Sequence, residues 1–414
     1  MIDQEYSALA SRNFRRYLYG NVFSVLGVWI QRLALGWHAW QLTESTFVVG
    51  IVAAAQFMPL LLLTPFFGVL VDQIRTRQGA IVMHAILTLI AAALGILTLG
   101  GYMTIEWLIA LAFLHGIANS AYSPVRLALI PELVDKQKFP SAVAVSSMVF
   151  NLSRFVGPGI AGAIVAWYGL GFAYIVNAVT YLPVIVALCV IRIDETGDDG
   201  SGAEGGYFAR LAEGIRYTRD HAPIRQVILL AGVSNFFGRG ILELMPAFVA
   251  ILFAGGSAEL AALMAATGVG AMLASLTFYL RPVQTRLHVA VVIGAIGVCA
   301  TMLMFSAVSA LAAGVVIVCL LGFFASLVSI GSQTEVQLEV ESRLRGRVMS
   351  LWTLAIIGGP ALGSVVAGAL AERFGASSTS LGFGVACLCL VLAVGLRKPD
   401  PETVREDDRI QYRQ

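Results

Sequence analysis

Twelve long apolar stretches divide this chain, at about 17–42, 47–71, 80–99, 105–124, 141–167, 171–191, 224–252, 258–280, 287–306, 309–331, 347–371 and 379–396. Each is close to the roughly 20 residues that a helix needs to cross a bilayer core. Of the 27 Lys and Arg residues, 23 lie in or at the edge of alternate connections, while the opposite connections hold only Arg373. If every stretch crosses, the basic connections share one side, which is the positive-inside pattern. The expectation is a multi-pass protein of a bacterial inner membrane, all-α, with both termini cytoplasmic.

The chain is 58% hydrophobic and only 13% charged, and its mean hydropathy of +0.82 lies far from that of soluble domains. The net charge of +2 is spread thinly over short loops, so no nucleic-acid partner is expected. All five cysteines, Cys189, Cys299, Cys319, Cys387 and Cys389, fall inside apolar stretches. They lack the flanking His/Cys partners of a metal site, and they read as small apolar fillers. No metal or cofactor is expected. The apolar run after Arg12, Arg15 and Arg16 is too long for a signal peptide and lacks a small-residue cleavage site, so the first helix is expected to stay.

Residues 194–206, DETGDDGSGAEGG, form an acidic, Gly-rich linker after the sixth stretch. It divides the chain into a six-helix bundle at 1–195, a cytoplasmic linker at 196–222, a second bundle at 223–397 and a tail at 398–414. Within the linker, Phe208, Leu211 and Ile215 at helical spacing, with Arg210, Arg216 and Arg219 on other faces, suggest either a surface-lying amphipathic helix or a solvated lead-in. The two halves repeat. Gly157-Pro158 in the fifth stretch and Gly359-Pro360 in the eleventh lie 202 residues apart, and Gly27 and Gly238 lie 211 apart. The second offset sets Arg32 opposite Glu243.

A charge at the bilayer centre costs about 2.5–3.5 kcal/mol on insertion scales, so it marks a lined cavity or an internal pair. Arg32, Arg154, Arg239 and Glu243 all lie near the middle of their stretches. Glu243 can pair with Arg239 four residues back on its own helix, as a structural neutraliser, or reach Arg32 in the other bundle. In the second case a substrate or proton that breaks the pair biases which side is open. A desolvated carboxyl holds its proton and a nearby guanidinium releases it, so Glu243 is the candidate proton acceptor. Ser147, Asn151 and Arg154 form a polar stripe at i, i+4, i+7, and Gln31 and His38 share a face of the first stretch. His38 lies near the exterior end, and His38 and His115 are weaker coupling candidates. Asn119, Asn177 and Asn235 read as interhelical glue before ligands. The pathway set is therefore Gln31, Arg32, His38, Asn151, Arg154, Asn235, Arg239 and Glu243. Trp29, Trp37, Phe236 and Phe237 on the same stretches suit a bulky, partly apolar solute or packing against lipid. Three arginines to one glutamate suggest an anionic one.

NFRRYL (Asn13 to Leu18), WIQRLALGWHAWQLT (Trp29 to Thr43), AYSPVRLALIPELV (Ala121 to Val134) and LRGRVMSL (Leu344 to Leu351) resemble the major facilitator superfamily, in the branch of the enterobactin exporter and related efflux proteins. The likeness spans nearly the whole chain. It implies the major facilitator fold, twelve transmembrane helices in two pseudo-symmetric six-helix bundles, usually a monomer, with the substrate path between the bundles. The superfamily signature G-x-x-x-D-R-x-G-R-R appears in part as GVLVDQIRTR, with Gly68, Asp72 and Arg77 kept and Gln73 and Arg75 in place of Arg and Gly. Asp72 can accept from an Arg and cap a neighbouring helix N-terminus. With Gly68, Arg75, Arg77 and Arg126 it forms a cytoplasmic gate, or else an ordinary loop ion pair. The antiporter signature G-x-x-x-G-P-x-x-G-G of the fifth span keeps Gly157, Pro158 and Gly162, with Ser153 and Ala161 replacing two glycines. The fourth-span R-x-x-Q-G element is replaced by Ala112-Phe113-Leu114-His115-Gly116, and the first-span acid of many multidrug relatives is absent.

The resulting expectation is a secondary active transporter, a proton-coupled exporter (antiporter) of a small organic solute such as a siderophore or drug, working by alternating access in the lipid bilayer. The alternatives are a passive or substrate-coupled carrier, importer or lysophospholipid flippase, and a non-transporting membrane sensor or scaffold. An enzyme is not expected, because no nucleophile with an adjacent base and no cofactor fingerprint is present.

Overall fold

The structure is a computed structural model that describes residues 7–71, 75–191, 207–280 and 287–395. Among them every regular element is helical. The first bundle comprises α1 (Arg12–Thr43), α2 (Thr46–Val71), α3 (Thr76–Leu99), α4 (Ile105–Glu132), α5 (Phe139–Tyr168) and the broken pair α6 (Leu170–Thr180) and α7 (Leu182–Val190). A short α8 (Tyr207–Asp220) leads into the second bundle. That bundle holds α9 (Ala222–Ser234), a π-helical turn (Asn235–Arg239), α10 (Gly240–Glu243), α11 (Met245–Phe253), α12 (Ser257–Leu280), α13 (Leu287–Ser306), α14 (Leu311–Glu339), α15 (Ser342–Phe374) and α16 (Ala376–Gly395). Among the described residues eleven helical runs, with α6 and α7 taken as one, are long and apolar enough to span a bilayer, and the α9–α11 run makes the twelfth.

The helices arise where the sequence places them, because apolar runs without water must satisfy their own backbone groups. Some begin before and end after the apolar stretch, as α1, α5 and α15 do. The backbone also shows the internal repeat. The first span of each half ends in a left-handed non-glycine residue, Glu44 at φ 49° and Ala254 at φ 47°. The fifth span of each half ends in a glycine at φ 84°, Gly169 and Gly375, a conformation that a Cβ would strain.

Span seven departs from the expected single helix at 224–252. It carries the π turn and then bends by 58° between Glu243 and Met245. Pro246 has no N–H to give to a continuing ladder, and π turns insert a residue without ending the helix. The turn is pressed against α15: a Cβ at Gly363 would stand 2.0 Å from the Phe236 carbonyl oxygen, and one at Gly240 2.7 Å from the Gly363 carbonyl carbon. Span six is divided at Tyr181, next to Pro183. In α8, Ile215 is exposed, and the helix rests on α15 through buried Gly214 and a Glu213–Arg347 ion pair. The side chains of Phe208, Arg210 and Leu211 lie outside the described residues.

The bundles meet at the end remote from the basic connections. Ser364 Oγ donates to the Gly50 carbonyl at 3.1 Å, and Thr46 Oγ1 to the Gly368 carbonyl at 2.9 Å, joining α2 to α15. A Cβ at Gly162 of α5 would stand 2.4 Å from Ala261 Cβ of α12, and one at Gly36 of α1 2.7 Å from Pro246 of α11. Contact thins along α2. At Gly358 the facing Leu61 side chain is 3.3 Å from such a Cβ, and at Gly68, nearest the basic end, nothing stands within 4 Å.

Candidate functional site

A cavity of about 300 Å³ lies on the inner wall of the first bundle, running from mid-span toward the basic end. Asn21, Gln31, Arg32, Gln56, His115 and Arg126 are among the polar groups lining it, with Phe57 and Phe150 as apolar walls. It exists because α1 and α4 carry polar residues on the face turned away from lipid, where a single uncompensated group is expensive.

At its mid-membrane end Arg32 forms an ion pair with Glu243, which crosses from α1 to α10. The structure thus selects the inter-bundle pairing over the Arg239–Glu243 pair within one span. Arg32 also stacks on two aromatic faces, 5.2 Å from the Trp29 centroid and 5.0 Å from that of Phe57. Arg154 lies 5.9 Å over the other reach of Trp29, and Trp29 meets Phe150 edge to face at 5.7 Å. Arg154 and Arg239 stand close enough to feel the charges of Arg32 and Glu243. Neither has a carboxylate partner among the described residues, and the Nε of Arg239 is buried without a hydrogen bond. Three guanidinium groups therefore share one carboxylate, leaving a local charge of roughly +2 in a low-dielectric setting.

A second layer holds α1 in place. Asn177 Nδ2 donates to Gln31 Oε1 at 2.6 Å, and Gln31 Nε2 lies 3.0 Å from His115 Nδ1. Removing the Asn177 amide leaves the buried Gln31 Oε1 without its donor. Asn177→Leu is expected to lower stability in detergent by about 1–2 kcal/mol, read as a lower melting midpoint, whereas an unshifted midpoint would show that Gln31 Oε1 is satisfied otherwise.

The remaining candidates scatter. His38 is buried away from the cavity, its Nδ1 3.2 Å from Tyr174 Oη. Asn151 is half-buried outside the cavity lining, and Asn235 donates to the Ala231 carbonyl of its own helix at 2.8 Å. Asn119 does line the cavity, with its amide donating to the His115 carbonyl at 3.0 Å. Of the expected gate, Asp72 lies outside the described residues and Arg75 is exposed. Arg77 Nη1 donates to the Ile191 carbonyl at the end of α7 at 2.8 Å, within its own bundle, while Arg126 lines the cavity. In the fifth-span motif, Gly157 admits Trp29, whose Cβ would be 2.6 Å from an added Cβ, and Gly162 admits α12. Pro158 lies inside α5 between these two contacts. Gln56, Phe57 and Phe150 were not expected at the site. Gln56 is the lone polar side chain between Phe47 and Thr64 in a strongly apolar helix, a signal the span-by-span charge search passes over.

Comparison with known proteins settles the family. Residues 4–412 match the transmembrane secretion effector family. The chain belongs to this family of major facilitator transporters. It is 25% identical over 391 residues to the staphyloferrin A transporter of Staphylococcus aureus, covering 91% of this chain and 94% of that one. It is 27% identical over 395 residues to the multidrug efflux pump Tap of Mycolicibacterium fortuitum, covering 92% and 94%. To the enterobactin exporter EntS of Salmonella typhimurium it is 23% identical over 390 residues, covering 92% of each. Among solved structures it superposes on the nucleoside transporter NupG with a TM-score of 0.70 at 12% identity, covering 94% of this chain and all of that one, 100%. A bacterial homologue of the human lysosomal transporter Spinster, inward-facing and unoccupied, gives 0.69 at 14% identity, covering 92% and 95%. These two likenesses concern the fold. The relatives are transporters, and the curated ones include exporters of siderophores and drugs.

Proposed function

We propose that this chain is a proton-coupled exporter of a small organic anion, which works by alternating access with its basic end in the bacterial cytoplasm. The observation that carries this reading is the Arg32–Glu243 pair bridging the two bundles at the head of a cavity, with Arg154 and Arg239 unpaired beside it. The positive-inside pattern orients the cavity toward the cytoplasm, and the exporters among the relatives agree in direction.

Arg154 belongs to α5 of one bundle and Arg239 to the π turn of the other. An anion held between them is bound only while the bundles keep their present spacing. When the cytoplasmic ends close and the exterior ends part, the two guanidinium groups separate and the anion leaves. The same movement draws Arg32 from Glu243. A buried carboxyl group left alone holds a proton, and one beside a guanidinium gives it up. In this reading Glu243, the one carboxylate beside these guanidinium groups among the described residues, is the carrier of the coupled proton, its bridge to Arg32 broken in one state and re-formed in the other. Trp29, Phe57 and Phe150 provide flat apolar surface for the organic part of the solute.

A screen of anionic, neutral and cationic solutes in proteoliposomes, with and without an imposed pH gradient, tests the reading. Anions moving with the gradient support it, and flux indifferent to the gradient favours a passive carrier. Arg154→Gln is expected to weaken binding of the transported anion about tenfold, the worth of one charge-assisted hydrogen bond, and to leave neutral solutes unaffected. Equal losses for both classes would remove Arg154 from anion recognition.

A further inference from the structure

We propose that Glu372 is the residue that holds the exterior side shut, by capping the N-terminus of α2 from the opposite bundle. One oxygen of this side chain, at the last turn of α15, gathers four donors from the start of α2. Glu372 Oε2 accepts from Thr46 N at 2.8 Å, Thr46 Oγ1 at 2.9 Å, Ser45 Oγ at 3.1 Å and Phe47 N at 3.4 Å. The first N–H groups of a helix have no partner in their own helix, and the positive end of the helix dipole favours a carboxylate there. The Gly368 carbonyl one turn earlier in α15 lies at the same 2.9 Å from Thr46 Oγ1, so the one hydroxyl proton is shared between two acceptors of α15.

These bonds run between helices whose exterior ends must part for the exterior side to open, so the latch and that opening exclude each other. This step rests on the alternating-access reading above. The arrangement also has a counterpart expected from the sequence. Helices α2 and α15 run antiparallel along their contact, and the sequence offers an acidic residue, Asp72, after the far end of α2. A trans cap at each end, made in turn, gives the transporter two comparably held states. Neither end then needs a hydrophobic seal that would be slow to open.

Amide hydrogen exchange on the full chain in lipid nanodiscs, comparing wild type with Glu372→Gln, tests the latch. Loss of charge-assisted bonds is expected to speed exchange at Thr46 and Phe47 about tenfold. It is also expected to slow exchange in residues 17–31 and 115–126 at the cytoplasmic cavity, as the population moves to the state closed there. A cap with only a local structural role would raise exchange near residue 46 and leave the cavity unchanged, and that result overturns the proposal. If exchange rises throughout the chain, Thr46→Val decides: it keeps the carboxylate and removes the hydroxyl that bonds both Glu372 and Gly368. The opposed changes at the two ends in that variant support the latch, and their absence overturns it. The readout needs no transported solute, so it stands or falls apart from the choice of substrate.

Discussion

Replacing Glu243 with glutamine is expected to cut flux driven by a pH gradient at least about tenfold, while solute exchange at equal pH on both sides persists. The separation of these two results follows from the geometry. Glutamine fills the same space and can still accept a hydrogen bond from Arg32, but it cannot carry a proton in one state and release it in the other. Losing the carboxylate also leaves three guanidinium groups together with no counter-charge. Removing one partner of a buried pair costs about 3–5 kcal/mol, moderated here because Arg32 keeps 26% of its side-chain surface exposed. An anion restores that balance, so binding of the solute should tighten even as coupled flux falls. Tighter binding with slower coupled transport is a signature that general unfolding does not produce. Unchanged gradient-driven flux in proteoliposomes would remove Glu243 from the coupling.

The second large effect concerns stability. Helices α12 and α14 cross so closely that a Cβ on Gly270 would stand 2.0 Å from the Cys319 carbonyl oxygen and 2.6 Å from the Phe323 amide nitrogen. Both neighbours are backbone, so no rotamer change relieves the clash, and the helices must separate. Membrane helices associate through close packing rather than through burial from water. Gly270→Ala is therefore expected to cost about 3 kcal/mol and to lower the melting midpoint in detergent markedly. Gly159 of α5 has nothing within 4 Å of an added Cβ. There the same substitution is expected to be neutral or to stabilise by up to about 1 kcal/mol through helix propensity. Equal midpoints for the two variants would show that the α12–α14 contact does not limit stability.

How much of this was legible beforehand differs between fold and site. The spans followed from hydropathy because a bilayer core admits little besides apolar helices. Arg32 and Glu243 stand out for the converse reason, as charges too costly to leave in lipid. Their pairing was one of two readings, since Glu243 is equally placed for Arg239 in sequence. Only the approach of α1 to α10 decided between them. Glu372 was invisible for a different reason. It sits beside Arg373 in what hydropathy reads as an exterior loop, where a charged residue needs no explanation. The break in span seven was likewise hidden, since Phe236 to Phe253 is apolar nearly throughout and Pro246 alone does not announce a π turn. His38 illustrates the converse: its position suggested a titrating group, and the fold gives it to Tyr174.

The order of the residues by itself determined the number of spans, the two-fold repeat and which charges had to face away from lipid. Those properties depend on transfer energies between water and hydrocarbon, which add along a chain residue by residue. Tertiary structure alone decided which charges met, which end was closed and where a carboxylate capped a helix of the other bundle. Those depend on distances between residues hundreds of positions apart, and Coulomb and hydrogen-bond energies change over ångströms that no local pattern encodes.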